Sequence, residues 1–269
     1  MRRLEAGRAA KVAGTVLLVL AIGSAAAPLL TPYLPDGIDL ANRRNAPSFT
    51  PLFGTDELGR DVFTRTLFGT RVSLVIGLLA AAVAAAVGVT VGALSGYARG
   101  WTDTLLMRMT DAMLSVPTLP LLMIAAAILE PSVAVLILLI GLAGWMETAR
   151  IVRAEFLSLT ERPYVEAARA VGAPPWRIVI RHLLPGAAPA AAVAATLAVG
   201  RAILLESAMS FFGVGIQPPQ PSLGNMLYQA QSSMSTEPWL AVFPGAFIFL
   251  TVLSVYVVGA EVGRESSSS

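Results

Sequence analysis

The side chains that could perform nucleophilic or metal chemistry are few in this chain. It has 269 residues, no cysteine and a single histidine, His182. Disulfides, thiolate metal sites and thiol nucleophiles are therefore excluded, and no catalytic set can draw on a second histidine. The one lysine, Lys11, follows no glycine-rich turn, so the chain lacks the phosphate-binding loop of an ATPase. We expect no catalytic residue, metal site or cofactor here, and an interfacial rather than catalytic His182.

Two charged residues, Arg201 and Glu206, interrupt a long apolar stretch. A charge at the centre of a bilayer costs about 2.5–3.5 kcal/mol on insertion scales, so such residues often have a function. The length of apolar helix before Arg201 places it near the outer interface, where its side chain can reach water. The spacing of the two residues does not form an i,i+4 pair. Arg201, Glu206 and Ser210 are candidates for a translocation path or gate; the alternative is packing against a partner subunit or position at the interface.

A cluster of charges follows the first apolar stretch. Asp56, Arg60 and Asp61 form an Asp-x-x-Gly-Arg-Asp pattern, but the spaced oxygen ligands of a calcium loop are absent. We expect a structured turn on the outer surface, in which Arg60 pairs with a carboxylate.

The composition indicates that the elements carrying these residues cross a membrane. Apolar residues make up 55% of the chain and charged residues only 13%, against about a quarter charged in soluble domains. A spanning helix needs about 20 apolar residues. Six uncharged windows approach or exceed this length, the fourth only if its helix continues past Glu147: 12–35, 72–98, 112–129, 131–146, 183–200 and 238–260.

A further uncharged stretch, 207–236, is not predicted to span. It contains Pro218, Pro219 and Pro221 together with several glutamines and serines. In lipid their polar groups and broken helix bonds would remain unsatisfied. We expect an outer loop containing a short helix.

The distribution of arginines predicts the orientation. With the N-terminus inside, most basic residues lie in inner segments, whereas the outer segments hold Arg43, Arg44, Arg60, Arg65 and Arg71. Both termini are therefore expected inside. Pro28 directly after the small-residue run Ala25-Ala26-Ala27 disfavours cleavage of a signal peptide, so the first window is expected to remain as a span.

The charged segment 147–184 lies between the fourth and fifth windows. Pro163 and Pro174-Pro175 divide it into predicted helices. One short helix covers 164–171 and ends at Gly172; a second covers 176–184 and ends before Pro185. An ordinary amphipathic helix at the membrane interface is the alternative interpretation.

Several motifs in this order resemble a known family. Glu166-Ala167-Ala168, then three residues, Gly172, nine residues and His182-Leu183-Leu184-Pro185, resembles the EAA loop of ABC importer permeases, the helix that docks on an ATPase subunit. The segments 53–62, 69–74, 204–215 and 217–227 resemble the dipeptide/oligopeptide/nickel permeases, C-type subunit. The similarity covers nearly the whole chain. Two departures are His182, where the broad EAA pattern has isoleucine, and a C-terminus that is short and poor in acids.

The resemblance implies the fold class and the domain organisation. The fold is all-α, a polytopic membrane protein with six transmembrane helices, the type I ABC importer transmembrane domain. Residues 1–69 would hold the first transmembrane helix and an outer-surface loop. Residues 70–260 would form the transmembrane domain with five helices and the EAA loop, 147–184. Residues 261–269 would form a short cytoplasmic tail.

The resemblance also implies which residues meet partners. The residues implied to couple to the ATPase subunit are Tyr164, Glu166, Ala167, Ala168, Arg169, Gly172, Trp176, His182, Leu184 and Pro185. The outer-surface signature comprises Gly54, Asp56, Gly59, Arg60 and Asp61.

The implied function is that of a permease subunit in the bacterial inner membrane, forming half of a pore for peptides, glutathione or nickel chelates. Its implied partners are a second permease subunit, two ATPase subunits, an extracytoplasmic solute-binding protein and membrane lipid, with no nucleic acid. The chain itself would hold no cofactor and hydrolyse no ATP. Two other classes stay open: an ion-coupled secondary transporter using Arg201 and Glu206, and a membrane scaffold without transport activity.

Overall fold

The computed structural model describes residues 2–130 and 132–266. Within them the chain is almost entirely helical, with one isolated bridge between Thr55 and Asp61 and no strand, which confirms the predicted all-α class. The helices are α1 (Arg2–Ala25), α2 (Ala27–Leu30), α3 (Val62–Ala98), α4 (Gly100–Leu114), α5 (Thr118–Leu129), α6 (Val133–Leu142), α7 (Trp145–Leu159), α8 (Pro163–Ala170), α9 (Pro175–Ile178), α10 (Leu184–Phe211), α11 (Leu223–Ala230) and α12 (Trp239–Ser266).

Four helices in the described chain are long and apolar enough to cross a membrane: Gly7–Ala25, Val62–Ala98, Pro175–Phe211 and Trp239–Arg264. Two further apolar stretches are helix pairs, α4 with α5 bent by 83° and α6 with α7 bent by 41°. The total reaches six, the predicted number, when each bent pair counts as one span.

The third predicted window is therefore not one straight helix. Its first residues end α4, and the chain turns at Ser115, Val116 and Pro117 before α5 begins. Proline disfavours helical backbone in the residue before it and has no N–H to donate, which explains the break. In the fourth window the bend lies at Ala143 and Gly144, and α7 then continues past Glu147, as a span at this position requires.

The expected helix break before Pro185 is wrong. A five-residue π-helical segment, Val179–Leu183, joins α9 to α10, so that Pro175–Phe211 forms one continuous helix. The wider i→i+5 bonding of a π segment leaves room around a proline near the start of α10. The sequence alone suggested a stop because proline normally ends a helix.

The outer loop also begins later than expected. α10 continues to Phe211, so residues 207–211 are helical rather than part of the loop, and Arg201 and Glu206 lie well inside the helix. The first prolines after this point, Pro218 and Pro219, lie beyond its end. The short helix predicted in this loop is confirmed as α11, which begins with a capping box formed by Ser222 and Asn225.

A ridge of glycines on α3 packs against α7. A β-carbon added at Gly88 would lie 2.7 Å from the Trp145 carbonyl oxygen, and one at Gly92 would lie 2.5 Å from the Ala149 carbonyl oxygen. A β-carbon at Gly96 would meet the Phe156 side chain at 2.6 Å. Gly88, Gly92 and Gly96 recur every four residues in the sequence, a spacing that predicts close helix packing, and the structure identifies α7 as the partner helix.

The first and last described helices belong to the helical bundle. α3 begins at Val62, so the N-terminal region expected to end at residue 69 shares this helix. α1 packs against α12 and α3. The expected tail from residue 261 begins within α12, which continues to Ser266; the last three serines lie outside the described residues.

The arrangement allows a direct test of orientation, because the chain has no native cysteine. Ser48 and Ser158 are both exposed. Three predicted spans lie between them, so the two residues are expected on opposite sides of the membrane. In intact cells, Ser48→Cys should react with a membrane-impermeant maleimide and Ser158→Cys should not. Labelling of Ser158→Cys alone would reverse the orientation derived from the arginines.

Candidate coupling surface and translocation path

The short helix α8 is anchored to the bundle by one face. Pro163 opens the helix, a favourable position because proline has no N–H to leave unsatisfied there. Val165 is fully buried and packs in a cluster with Val152 and Phe156 of α7 and with Ile178 and Leu183 of the following segment. This apolar contact fixes the direction of α8 relative to the long helices.

The other face of α8 is open to solvent. After Pro163, its exposed residues are Tyr164, Glu166, Ala167, Arg169 and Ala170, and we call this set the α8 surface. Two residues expected to meet a partner lie elsewhere: Ala168 and Leu184 are half-buried against the cluster around Phe156. Glu166 in the first turn and Arg169 in the last turn each match the sign of charge that the helix dipole favours.

Gly172 ends this helix in a left-handed conformation, with a φ of +79°. The sequence predicted this role. The space around its α-carbon is open, because an added β-carbon would have no atom within 4 Å. A larger side chain here would therefore strain the backbone without clashing with a neighbour.

The segment after α8 adds an aromatic and basic edge to the α8 surface. Trp176 is exposed and the Arg177 guanidinium lies 5.4 Å from the centre of its ring. The rings of Tyr164 and His182 lie 6.2 Å apart, so the segment's only histidine faces a tyrosine. Among the described residues, no group of three or more His, Cys, Asp or Glu could hold a metal ion.

A second feature is a cavity of about 330 Å³ between α3, the α6–α7 bend and α10. Its walls are mostly small and apolar, with Ala80, Ala84, Ala198 and Ala202 among them. Arg201 lines it and forms an ion pair with Glu147 of α7. The pairing explains how α10 carries an arginine in an apolar stretch.

Glu206 and Ser210 have a different environment from Arg201. Glu206 is fully buried; Ser73 of α3 donates to its Oε2 and Ser210 to its Oε1, both at 2.8 Å. The Ser210 hydroxyl also accepts the Ile216 N–H at 3.0 Å. These bonds tie α3, α10 and the outer loop together, and neither Glu206 nor Ser210 is among the described residues that line the cavity.

The outer turn before α3 is organised around Asp56. Its Oδ1 accepts the backbone N–H groups of Leu58 and Arg60, and its Oδ2 accepts Arg60 Nε at 2.6 Å. Arg60 also donates to Gln229 of α11 at 3.0 Å. The predicted pairing of Arg60 with a carboxylate is confirmed, and it links the turn to the outer loop.

The other signature residues shape the same turn. Gly59 has a φ of +75°, and an added β-carbon would overlap the Asp39 carbonyl oxygen at 1.7 Å. Asp61 caps α3 by accepting the N–H and hydroxyl of Thr64. Gly54 has a φ of +77° and approaches Asn45. All of them therefore serve the fold of this turn.

Comparison with known proteins decides the family. Residues 88–262 match the family described as "Binding-protein-dependent transport system inner membrane component". The chain belongs to this family. It is accordingly a multi-pass permease component of the inner membrane.

Similar proteins extend the relationship over most of the chain. A Brucella suis biovar 1 protein named as a peptide permease is 39% identical over 253 residues, which are 93% of this chain and 84% of the relative. The glutathione transport system permease protein GsiD of Pectobacterium atrosepticum is 36% identical over 259 residues, covering 96% and 86%. In fold, the chain is similar to a solved structure of the MetNI methionine ABC transporter in an inward-facing conformation, with a TM-score of 0.58, 20% identity, and coverage of 74% and 94%.

Two residues that take part in these sites, Glu147 and Arg65, were not predicted from the sequence. Glu147 was placed only at the end of a span, because its partner is more than fifty positions away and no local spacing connects them. Arg65 is the largest fully buried side chain among the described residues. It donates to the Pro35 carbonyl at 2.8 Å, and its Nε lies 3.8 Å from Asp56 Oδ2.

Replacing Asp56 should destabilise the protein strongly. The variant Asp56→Ala leaves the buried Arg60 and Arg65 without their carboxylate, a loss that typically costs about 3–5 kcal/mol. We expect a lower midpoint of thermal unfolding for the detergent-solubilised protein. Glu57→Ala is the matched control, since this adjacent carboxylate is exposed. Equal midpoints for the two variants would contradict the assignment of Asp56 as the centre of the turn.

Proposed function

We propose that this chain is the permease subunit of an ATP-driven, binding-protein-dependent importer and forms half of its pore. The observation that carries the proposal is the α8 surface, a rigid polar face presented by a helix whose opposite face is fixed to the bundle by Val165. Membership of a family of transport-system components supports a role in transport. The names of the similar proteins support peptides or glutathione as the class of solute.

In this proposal α8 docks in a groove of an ATPase subunit. Ala167 and Ala170 are small, so the helix can approach a partner closely, and Glu166 and Arg169 provide polar contacts at the rim. A movement of the partner is transmitted through Val165 to Phe156 and Val152, and so to α7. ATP hydrolysis belongs to two separate ATPase subunits, a second permease completes the pore, and a solute-binding protein delivers the solute from outside.

The two rival functions receive less support. The ion-coupled transporter was expected to use Arg201 and Glu206 together, whereas Glu206 is fully buried and bonded to serine hydroxyls, so it is closed to a passing ion. A scaffold without transport activity does not account for a cavity with an ion pair in the apolar bundle. Purification separates these functions, because only the importer should co-elute with ATPase subunits.

Coupling should depend on Gly172 more than folding does. In Gly172→Val, a β-branched residue must adopt a left-handed conformation at a cost of about 1–2 kcal/mol, which alters the end of α8. We expect normal expression and pairing with the second permease. Uptake should fall sharply, and ATPase activity should lose its response to the solute-loaded binding protein.

Gly100→Val provides the matched control. Gly100 also has a positive φ, of +58°, and open space around it, but it is the first residue of α4 and is not part of the α8 surface. Its replacement applies the same backbone strain and should leave coupling intact. Normal uptake by Gly172→Val at normal expression, or the same loss in both variants, would show that α8 is not the coupling element.

A further inference from the structure

The cavity beside α10 combines apolar walls with a single pair of opposite charges. Among the described residues that line it, Glu147 and Arg201 are the charged ones, and nearly all the others are alanine, glycine, leucine, isoleucine or methionine. The two charges come from different helices, α7 and α10, and are in direct contact as an ion pair at the cavity wall. A cavity of about 330 Å³ lies at the lower end of the ~300–1,000 Å³ typical of small-molecule sites.

This ion pair is accessible, unlike the other charged groups in the core. The Arg201 side chain is 33% exposed and the Glu147 side chain 55% exposed. Glu206, by contrast, has no exposure and both its oxygens are bonded to serines. A solute entering the cavity therefore meets the partly exposed side chains of Glu147 and Arg201 and does not meet Glu206.

We propose that Glu147 and Arg201 form a transit site for zwitterionic solutes, those that carry both an ammonium and a carboxylate group. The solute carboxylate binds Arg201, for which a guanidinium is well suited, and the solute ammonium binds Glu147. One internal ion pair is thereby exchanged for two pairs with the solute, so no charge is left without a partner in the apolar cavity. This inference rests on the proposed importer function and specifies its solute class.

The same geometry disfavours solutes that carry one charge only. A solute with only a carboxylate would take Arg201 from Glu147, and a solute with only an ammonium would take Glu147 from Arg201. Such a solute gains one ion pair and loses the internal one, whereas a zwitterion gains two pairs for the one that is lost. The site therefore selects for two opposite charges at once, which is the chemical form of a free peptide and excludes peptides capped at either end.

The small wall residues set the space available to the solute. Ala80 and Ala84 of α3 and Ala198 and Ala202 of α10 line the same cavity as the pair. Ala143 and Gly144, at the α6–α7 bend, line it as well. Larger residues at these positions would fill the space in which a peptide backbone has to lie.

The test measures binding to the complete importer, purified with its second permease and ATPase subunits but without the solute-binding protein or nucleotide. The probes are L-alanyl-L-alanine, its C-terminal amide and its N-acetyl derivative, with Kd obtained from saturation-transfer NMR titrations. We expect Arg201→Gln to weaken binding of the free dipeptide at least about tenfold, the factor that 1.4 kcal/mol represents. The amide should bind the wild type and Arg201→Gln equally weakly. Glu147→Gln should likewise weaken the free dipeptide and leave the N-acetyl derivative unchanged.

The control is Arg150→Gln, which breaks an equally accessible ion pair of α7 with Asp111, away from the cavity. It should leave all three Kd values unchanged. A merely structural role of the Glu147–Arg201 pair would weaken all three probes together, and that result would overturn the proposal. The absence of saturable dipeptide binding to the wild type would overturn it as well.

A parallel assay separates this inference from the importer function. The same wild-type preparation, reconstituted in vesicles with its binding protein and ATP, is tested for uptake of L-alanyl-L-alanine and glutathione. ATP-driven uptake without probe-selective changes in the variants would reject the transit site and leave the proposed function standing. If neither solute is taken up in an ATP-dependent manner, the proposed function and the solute class both fail.

Discussion

Close packing of α3 against α7 is the constraint on which the rest of the structure depends. The glycines at 88, 92 and 96 of α3 let the two backbones approach closely. If any of them carried a β-carbon, that atom would touch a carbonyl oxygen of α7. Lipid provides little hydrophobic drive for helices to associate, so dispersion contacts of this kind carry much of the stability. The position of α7 is thereby fixed, and α7 carries both Glu147 at the cavity and Phe156 beneath α8.

This arrangement joins the two candidate sites through one element. Val165 of α8 packs on Val152 and Phe156 near the end of α7, and Glu147 lies in its first turn. A displacement of α8 by a partner therefore reaches the cavity through a single helix of 15 residues. A bend of 41° before Trp145 separates that helix from α6.

Charges inside the bundle are retained because each has a partner of a suitable kind. Glu206 is surrounded by serine hydroxyls, Arg201 faces Glu147, and Asp56 collects two backbone N–H groups and the Arg60 side chain. A buried charge without such partners would destabilise the fold. The differences matter for function: the Glu206 and Asp56 clusters are sealed and hold elements together, whereas the Arg201 pair is open.

Local features of the sequence predicted much of this structure. The uncharged windows located the apolar helices, the glycine spacing indicated close packing, and Pro163 with Gly172 gave the bounds of α8 within one residue.

The predictions failed where a contact between distant residues or an unusual backbone conformation determines the structure. Pro185 looked like a helix stop because the π segment before it has no sequence signal. The third window, counted only by its lack of charge, contains a break at Pro117, because such a count does not register the missing N–H of proline. The partner of Arg201 lies on another helix, which spacing alone does not reveal.

The most direct test of the account is photo-crosslinking from the α8 surface in the assembled, ATP-hydrolysing importer. A benzophenone amino acid replaces Ala167 in one variant, and Phe49, which is 98% exposed and lies in the outer segment before α3, in the other. Irradiation should join the Ala167 variant to an ATPase subunit and should give no such product from the Phe49 variant. No ATPase product from Ala167, or equal products from both positions, would contradict the assignment of α8 as the surface that couples this permease to ATP hydrolysis.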